Sequence, residues 1–134
     1  AVLKLFPRPG DTVTAMLAVP DPEAAVSLLH HLRDRMGDQV TAFELINGTG
    51  VGYVQRFHDI LDPLDGAPDW RVLAEVIGPA DSDLEDRVTA CLADAFEAGV
   101  AQYCSAVKSV QHLFTVHLMT TTYATGFNTA KRRA

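Results

Sequence analysis

Two amphipathic helical patterns, each flanked by strand-like runs, constrain the fold of this chain most. The first pattern follows a strand-like run over 12–19, and Pro20 ends that run. Asp21 can cap the next helix with its carboxylate, and Pro22 suits the first helical position because its missing N–H costs nothing there. We predict a helix from 22 to about 36, ended by Gly37 in a left-handed conformation. Its apolar residues recur at helical spacing, at Ala25, Leu28, Leu29, Leu32 and Met36.

A second strand and a weaker helix follow. Residues 40–46 alternate in the manner of a strand. The alternation predicts one side with Thr41, Phe43 and Leu45, and another with Val40, Ala42 and Glu44. A short helix is predicted over about 51–58, and the Asp-, Gly- and Pro-rich stretch 63–68 is predicted to be a loop.

The last part of the chain repeats the strand-helix-strand order. Residues 70–77 form the third predicted strand, and a capping box of Ser82 and Glu85 predicts a helix over about 83–98, ended by Gly99. A fourth strand is predicted over 103–110. The buried stripe of the second long helix is predicted to contain Leu84, Val88, Cys91, Leu92 and Ala95. This order favours an α+β fold, a ferredoxin-like antiparallel sheet with helices packed on one face.

Composition excludes several classes of function. The chain has 134 residues, which suits a single domain. Its net charge of -6 argues against nucleic acid as a partner. No apolar run approaches the ~20 residues that span a bilayer. Cys91 and Cys104 have neither metal-ligand nor redox-motif spacing, so we expect reduced, buried thiols and a cytoplasmic location.

Candidate ligand sites are few, and each has a plainer interpretation. The glycine-rich stretch 47–52 follows a strand and precedes a helix, as phosphate-binding loops do, but the third glycine of the dinucleotide fingerprint is replaced by Tyr53. A flexible turn is the favoured interpretation. The adjacent His30 and His31 point about 100° apart on a helix and are interpreted as surface residues.

The remaining histidines suggest no metal site. His112 and His117 are five residues apart, which suits neither one helical face nor one strand face. His58 lies near Asp59 and Asp62 in what is also a common solvated turn. We therefore assign no catalytic, cofactor-binding or metal-binding residue from the sequence.

Four segments together resemble the FAD-linked oxidase family, whose members include D-lactate, glycolate and D-2-hydroxyglutarate dehydrogenases. They are residues 3–9, which read Leu-Lys-Leu-Phe-Pro-Arg-Pro, and residues 18–22, 41–46 and 70–76. In that family the first run closes the flavin domain and the substrate, or cap, domain follows. The resemblance implies that 1–10 is the end of a flavin-domain strand with its connection, that 11–110 is a ferredoxin-like cap-domain fragment, and that 111–134 is an atypical tail.

The resemblance also implies a role that this chain would not perform alone. The intact parent would bind FAD and a divalent metal and oxidise a small D-2-hydroxy acid, with the rest of the flavoprotein as this chain's partner. The family's flavin loop and its His-x-x-Gly-Asp-Gly-Asn-x-His stretch have no counterpart here. Where relatives carry a Leu-Trp-x-Leu-Arg-Glu helix, whose Arg is similar to those that bind the substrate carboxylate, residues 110–117 differ.

The C-terminal tail departs from the rest in charge. All seventeen acidic residues lie at or before Glu97, whereas the tail ends in Lys131, Arg132 and Arg133. A shifted reading frame, a truncated gene or an appended tail would explain the break. The alternative is a stand-alone ferredoxin-like interaction or ligand-sensing module. We expect the helix-free sheet face to be exposed and to support a homodimer.

Overall fold

A computed structural model of the chain describes residues 2, 10–57, 62, 64, 66 and 68–107, with the backbone alone at 105–107. The predicted connection over 1–10, the last residues of the fourth predicted strand and the tail from 111 lie wholly or mostly outside these residues.

Four antiparallel strands form one sheet in the described part of the chain. They are β1 (Asp11–Val19), β2 (Val40–Asn47), β3 (Trp70–Gly78) and β4 (Tyr103–Val107), in the order β2-β3-β1-β4. β1 pairs with β3 along its whole length, with Ala15 opposite Ala74, and β4 pairs with the other side of β1. This strand order and the helical crossovers confirm the predicted ferredoxin-like α+β fold.

Two of the three α-helices that the structure describes, α1 (Pro22–Met36) and α3 (Leu84–Glu97), pack on one face of the sheet. The third, α2 (Gly48–Phe57), contributes Val51 and Val54 to a small separate cluster with Ile46 of β2. The main core contains apolar side chains from α1, α3 and the sheet, among them Leu17, Leu28, Leu32, Val72, Val76, Val88, Cys91 and Leu92. Full burial of a leucine side chain of this kind contributes about 1.5–3 kcal/mol.

The first helix begins and ends close to the predicted residues. The Asp21 side chain accepts a hydrogen bond of 2.7 Å from the backbone N–H of Ala24, which confirms the predicted cap. Gly37 follows the helix with φ +57° and ψ -132°. The positive φ of Gly37 was expected. The predicted left-handed conformation is wrong in its ψ angle, because the chain continues into a short 3₁₀ turn over Gly37–Gln39.

The strict alternation predicted for the second strand placed Val40 on the wrong face of the sheet. A register shift between Val40 and Ala42 inserts an extra residue into β2, so that Val40 packs against the main core together with Phe43. Thr41, at the irregularity, donates a hydrogen bond of 2.8 Å to the Glu75 carboxylate of the neighbouring strand. Because a bulge adds one residue, the side chains before it point to the opposite face from the one that simple alternation predicts.

The predicted capping box before α3 is wrong, although all five predicted stripe residues are buried. Asp83 occupies the N-cap position with φ +47° and makes no side-chain capping bond. Asp81 also has a positive φ, of 58°. The Ser82 hydroxyl is buried, has no hydrogen-bond partner among the described residues, and lies 2.9 Å from where a Cβ on Gly78 would stand. This turn therefore directs Ser82 toward β3 instead of toward the first N–H groups of the helix.

Candidate functional site

The sheet face opposite α1 and α3, here called the distal face, is closed at its centre. Met16 and Ala18 of β1 are both 0% exposed, and Leu64 packs on them together with Leu73 of β3. The expectation that this face would be exposed is therefore wrong for the described residues. Leu64 lies in the stretch predicted to be a loop, and a loop leucine that closes a sheet face gives no periodic signal in the sequence.

A buried arginine on β3 is the main polar feature of the distal face. Arg71 lies between Ala18 of β1 and Ile46 of β2 in the strand register, and it is only 1% exposed. Its Nη1 lies 2.9 Å from a carboxylate oxygen of Asp62, and its Nη2 donates a hydrogen bond of 2.9 Å to the carbonyl of Pro68. A guanidinium inside the protein is thus held by one carboxylate and one carbonyl.

The contacts of Arg71 leave part of its donor capacity unused. In the described part of the chain its Nε has no hydrogen-bond partner, and the contact of Nη1 with Asp62 is an ion pair without hydrogen-bond alignment. Arginine carries five N–H donors in a planar fork that matches the oxygens of a carboxylate or phosphate. This arrangement can therefore hold an oxyanion at the distal face.

Arg71 was not predicted as a site residue, and Asp62 was considered only as a candidate cation ligand beside His58. The available signal was a permanently charged residue between apolar residues at the start of β3, since buried arginines are rare unless paired. One carboxylate oxygen of Asp62 lies beside the Arg71 guanidinium, and the other accepts a hydrogen bond of 3.1 Å from the Leu64 N–H.

The glycine-rich stretch after β2 forms the first turn of a helix. The side chain of Asn47 accepts a hydrogen bond of 2.6 Å from the Gly50 N–H, and the Gly48 N–H donates to the Asp69 carbonyl at 2.7 Å. The favoured interpretation as a flexible turn was wrong, and the predicted helix begins three residues early. Two N–H groups that could hold a phosphate are already used.

Two of the five histidines, His30 and His31, lie on α1, and the other three lie outside the described residues. His30 is exposed, as predicted, whereas His31 is half-buried and its Nε2 lies 3.0 Å from the carbonyl oxygen of Cys91 on α3. His58, His112 and His117 lie outside the described residues. Within the described part of the chain, no group of three or more His, Cys, Asp or Glu residues could hold a metal ion.

The two cysteines differ in exposure. Cys91 is a buried free thiol in the main core, which confirms its prediction. Cys104 is free but exposed, so the expectation of burial was wrong for it, because it lies on β4, an edge strand of the described sheet. Burial raises the pKa of the Cys91 thiol against an opposing effect of Arg35, and partial desolvation raises the pKa of Cys104.

A shallow cavity of about 480 Å³ lies where β1 and α3 begin. Carboxylates line most of it, from Asp11, Asp81, Asp83, Glu85 and Asp86. The Asp11 carboxylate accepts a hydrogen bond of 3.2 Å from the Asp81 N–H. The cavity gives this end of the molecule a negative potential, which favours cations in general and selects none in particular.

The strand order, the helix positions and the closed distal face define a ferredoxin-like α+β domain. Residues 8–125 match the family described as FAD linked oxidases, C-terminal domain, and the chain belongs to that family. The match extends beyond residue 110, into the segment predicted to be an atypical tail.

The chain is also similar to a Schizosaccharomyces pombe protein that is named as a mitochondrial D-lactate dehydrogenase. The two are 28% identical over 90 residues, which cover 67% of this chain and 17% of the relative. The chain thus spans about a sixth of that relative's length. Of the helices that the structure describes, none combines the length and the apolar character needed to cross a membrane. Because the relative is named as a mitochondrial protein, the cytoplasmic location of this chain stays a prediction.

The described residues do not fit FAD. A dinucleotide needs a turn with free N–H groups for its pyrophosphate. In the glycine-rich stretch, Gly48 and Gly50 already donate to protein oxygens, and a Cβ on Gly48 would lie 2.9 Å from the Pro68 carbonyl oxygen. The backbone of residues 68 and 69 therefore fills the space beside the turn.

Proposed function

We propose that this chain is part of the substrate domain of an FAD-dependent oxidoreductase that oxidises a small D-2-hydroxy acid of the D-lactate, glycolate or D-2-hydroxyglutarate type. The family match over 8–125 is the observation that carries the proposal, and the similarity to a protein named as a D-lactate dehydrogenase supports the substrate class. The ferredoxin-like sheet agrees with the domain expected for this family.

In this proposal the work is divided between the chain and the rest of the flavoprotein. FAD, when bound, supplies the acceptor for the hydride from the substrate. The described residues do not fit the flavin, so we assign its binding, and that of a divalent metal, to other parts of the parent protein. This chain would contribute a rigid wall beside the substrate and would not catalyse the reaction alone.

The test uses the natural full-length protein that contains this chain. We expect the purified protein to carry a flavin absorbance spectrum and to reduce an artificial electron acceptor with at least one of D-lactate, glycolate and D-2-hydroxyglutarate. L-lactate is the matched control for D-lactate, because it differs only in configuration at the reacting carbon. A protein with no flavin and no turnover of any of the three acids would contradict the proposal.

A second candidate is a self-associating interaction module. It is favoured by an exposed aromatic pair on α2, Tyr53 and Phe57, which are 40% and 61% exposed with ring centroids 4.9 Å apart. Exposed aromatic side chains of this kind are common in protein interfaces. The module predicts a dimer of the 134-residue chain in light scattering, and a monomer for Phe57→Ser.

Val26→Ser is the matched control for that experiment. Val26 is also an exposed apolar residue, at 55%, but it lies on α1. The control should leave the dimer intact. A wild-type chain that stays monomeric at high concentration would exclude the module and the predicted homodimer together.

A further inference from the structure

We propose that Arg71 is a carboxylate-binding group, and that a small carboxylate from solution can replace Asp62 on its guanidinium. The proposal goes beyond the proposed function, since it assigns a binding site on the distal face and needs neither flavin nor turnover. It depends on the burial of Arg71, on its unused donors and on the nature of its present partner.

Burial makes the unused donors of Arg71 costly. A side chain that is 1% exposed cannot complete its hydrogen bonds with bulk water. Among the described residues its Nε has no hydrogen-bond partner, and the hydrogen bond of good geometry found there runs from Nη2 to the Pro68 carbonyl. A buried donor without a partner destabilises the folded state, and more so when it is charged. A ligand with two acceptor oxygens would remove part of that cost.

The nature of the present partner identifies the class of ligand. Asp62 places a carboxylate 2.9 Å from Nη1, but without the alignment of a hydrogen bond. The Asp62 side chain is 15% exposed, so its carboxylate lies at the border with solvent. Asp62 thus stands where the carboxylate of a ligand would stand, and the planar fork of an arginine can bind such a group through two parallel hydrogen bonds.

The competing explanation is an ordered water molecule on Nε. Buried waters commonly complete the hydrogen bonds of polar groups inside proteins. A water on Nε would satisfy the donor without any affinity for carboxylates, so the two explanations differ in what added acetate does.

The experiment is chemical rescue of Asp62→Ala with acetate, read as the thermal midpoint of the 134-residue chain. We expect Asp62→Ala to melt below wild type, and sodium acetate to restore the midpoint in a saturable manner. Sodium chloride at the same ionic strength should not. Sodium phosphate distinguishes a carboxylate site from a general oxyanion site, and D-lactate tests whether a hydroxy acid is accepted.

Asp94→Ala is the matched control variant, because Asp94 pairs with Arg35 at an exposed position where both side chains are nearly half accessible. It should show no difference between acetate and chloride. If acetate and chloride act alike on Asp62→Ala as well, the proposal is wrong.

A second measurement does not depend on the stability of the variant. In a wild-type chain labelled with nitrogen-15, the Nε–H resonance of Arg71 should shift saturably with acetate, whereas the resonance of the exposed Arg56 should not. We expect Asp62→Asn to tighten this binding by roughly tenfold, because the competing internal carboxylate is lost. An Arg71 resonance that stays unchanged at high acetate would overturn the inference, while flavin content and turnover of the full-length protein would still test the proposed function separately.

Discussion

His31 on α1 and Cys91 on α3 connect the two long helices, with 3.0 Å between the His31 Nε2 and the Cys91 carbonyl oxygen. Because a carbonyl can only accept, Nε2 carries the proton and donates this hydrogen bond. The two helices are far apart in sequence and cover the same face of the sheet. The bond therefore fixes how they pack against each other.

Replacing His31 should cost stability that replacing its neighbour does not. We expect His31→Ala to lower the free energy of unfolding by about 0.5–1.5 kcal/mol through the lost hydrogen bond. His30→Ala is the control, because His30 is exposed, and it should stay within about 0.5 kcal/mol of wild type. Urea unfolding followed by circular dichroism measures both. Equal losses in the two variants would show that the contact with Cys91 is unimportant.

Two of the three glycines of α2, Gly48 and Gly52, should respond in opposite directions to alanine. A Cβ on Gly48 would lie 2.9 Å from the Pro68 carbonyl oxygen, so Gly48→Ala must displace backbone and should cost about 1–3 kcal/mol. Gly52 has open space around its Cβ position and lies within the helix, so Gly52→Ala should stabilise by about 0.5–1 kcal/mol.

Thermal or urea unfolding of the two glycine variants under the same conditions provides the test. A stabilised Gly48→Ala protein would mean that the backbone at 68 and 69 does not pack against the start of α2. A destabilised Gly52→Ala protein would mean that this part of α2 is not helical.

The two thiols should react in sequence with a maleimide reagent. Cys104 is exposed and should be labelled in the native protein, whereas Cys91 should be labelled only on unfolding. Both pKa values are raised by desolvation, so native labelling should be slower than that of a free thiol and should accelerate as the pH rises. Mass spectrometry of peptides after timed labelling distinguishes the two sites. Early labelling of Cys91 would contradict the core packing of α3.

The raised pKa of Cys91 also predicts a pH dependence of stability. Its folded-state pKa exceeds the unfolded value, so its contribution is fully present below about pH 8.5 and is lost as the pH rises through the folded-state pKa. We expect Cys91→Ala to be less stable than wild type at neutral pH. Between about pH 8 and pH 10, which spans the ordinary cysteine pKa, the variant should lose less of its stability than wild type. Denaturant titrations at each pH measure the difference.

The exposed ion pair between Arg35 and Asp94 should contribute little. Both side chains are nearly half accessible, so water and salt screen their attraction. We expect Asp94→Ala to change the free energy of unfolding by less than about 1 kcal/mol, and the difference to shrink in high salt. A larger effect that persists in high salt would show that the pair is more rigid and less hydrated than its exposure implies.

Local signals in the sequence predicted most of the fold. Asp21 and Gly37 define the ends of α1 through bonds within a few residues, and the apolar spacing of α3 identified its buried face correctly. The errors have non-local causes. The positive φ of Asp83 prevents the capping box at Ser82, and the bulge near Val40 is visible only in the pairing of β2 with β3.

The polar features of the distal face could not be predicted for the same reason. Arg71 and Asp62 are nine positions apart, and their pairing depends on the placement of Asp62 against the distal face, beside Leu64. The sequence shows a charged residue in a strand, but it does not show whether its side chain reaches solvent or meets a carboxylate. The contact of Leu64 with Met16 is equally invisible to periodicity.

The most direct test of the central claim, that this chain is part of a flavin-dependent hydroxy acid oxidoreductase, is anaerobic titration of the natural full-length protein with D-lactate, glycolate and D-2-hydroxyglutarate. The account predicts that at least one of these acids bleaches the visible absorbance of the bound flavin, and that L-lactate does so far more slowly than D-lactate if D-lactate is the substrate. A full-length protein that binds no flavin, or whose flavin none of these acids reduces, would contradict it.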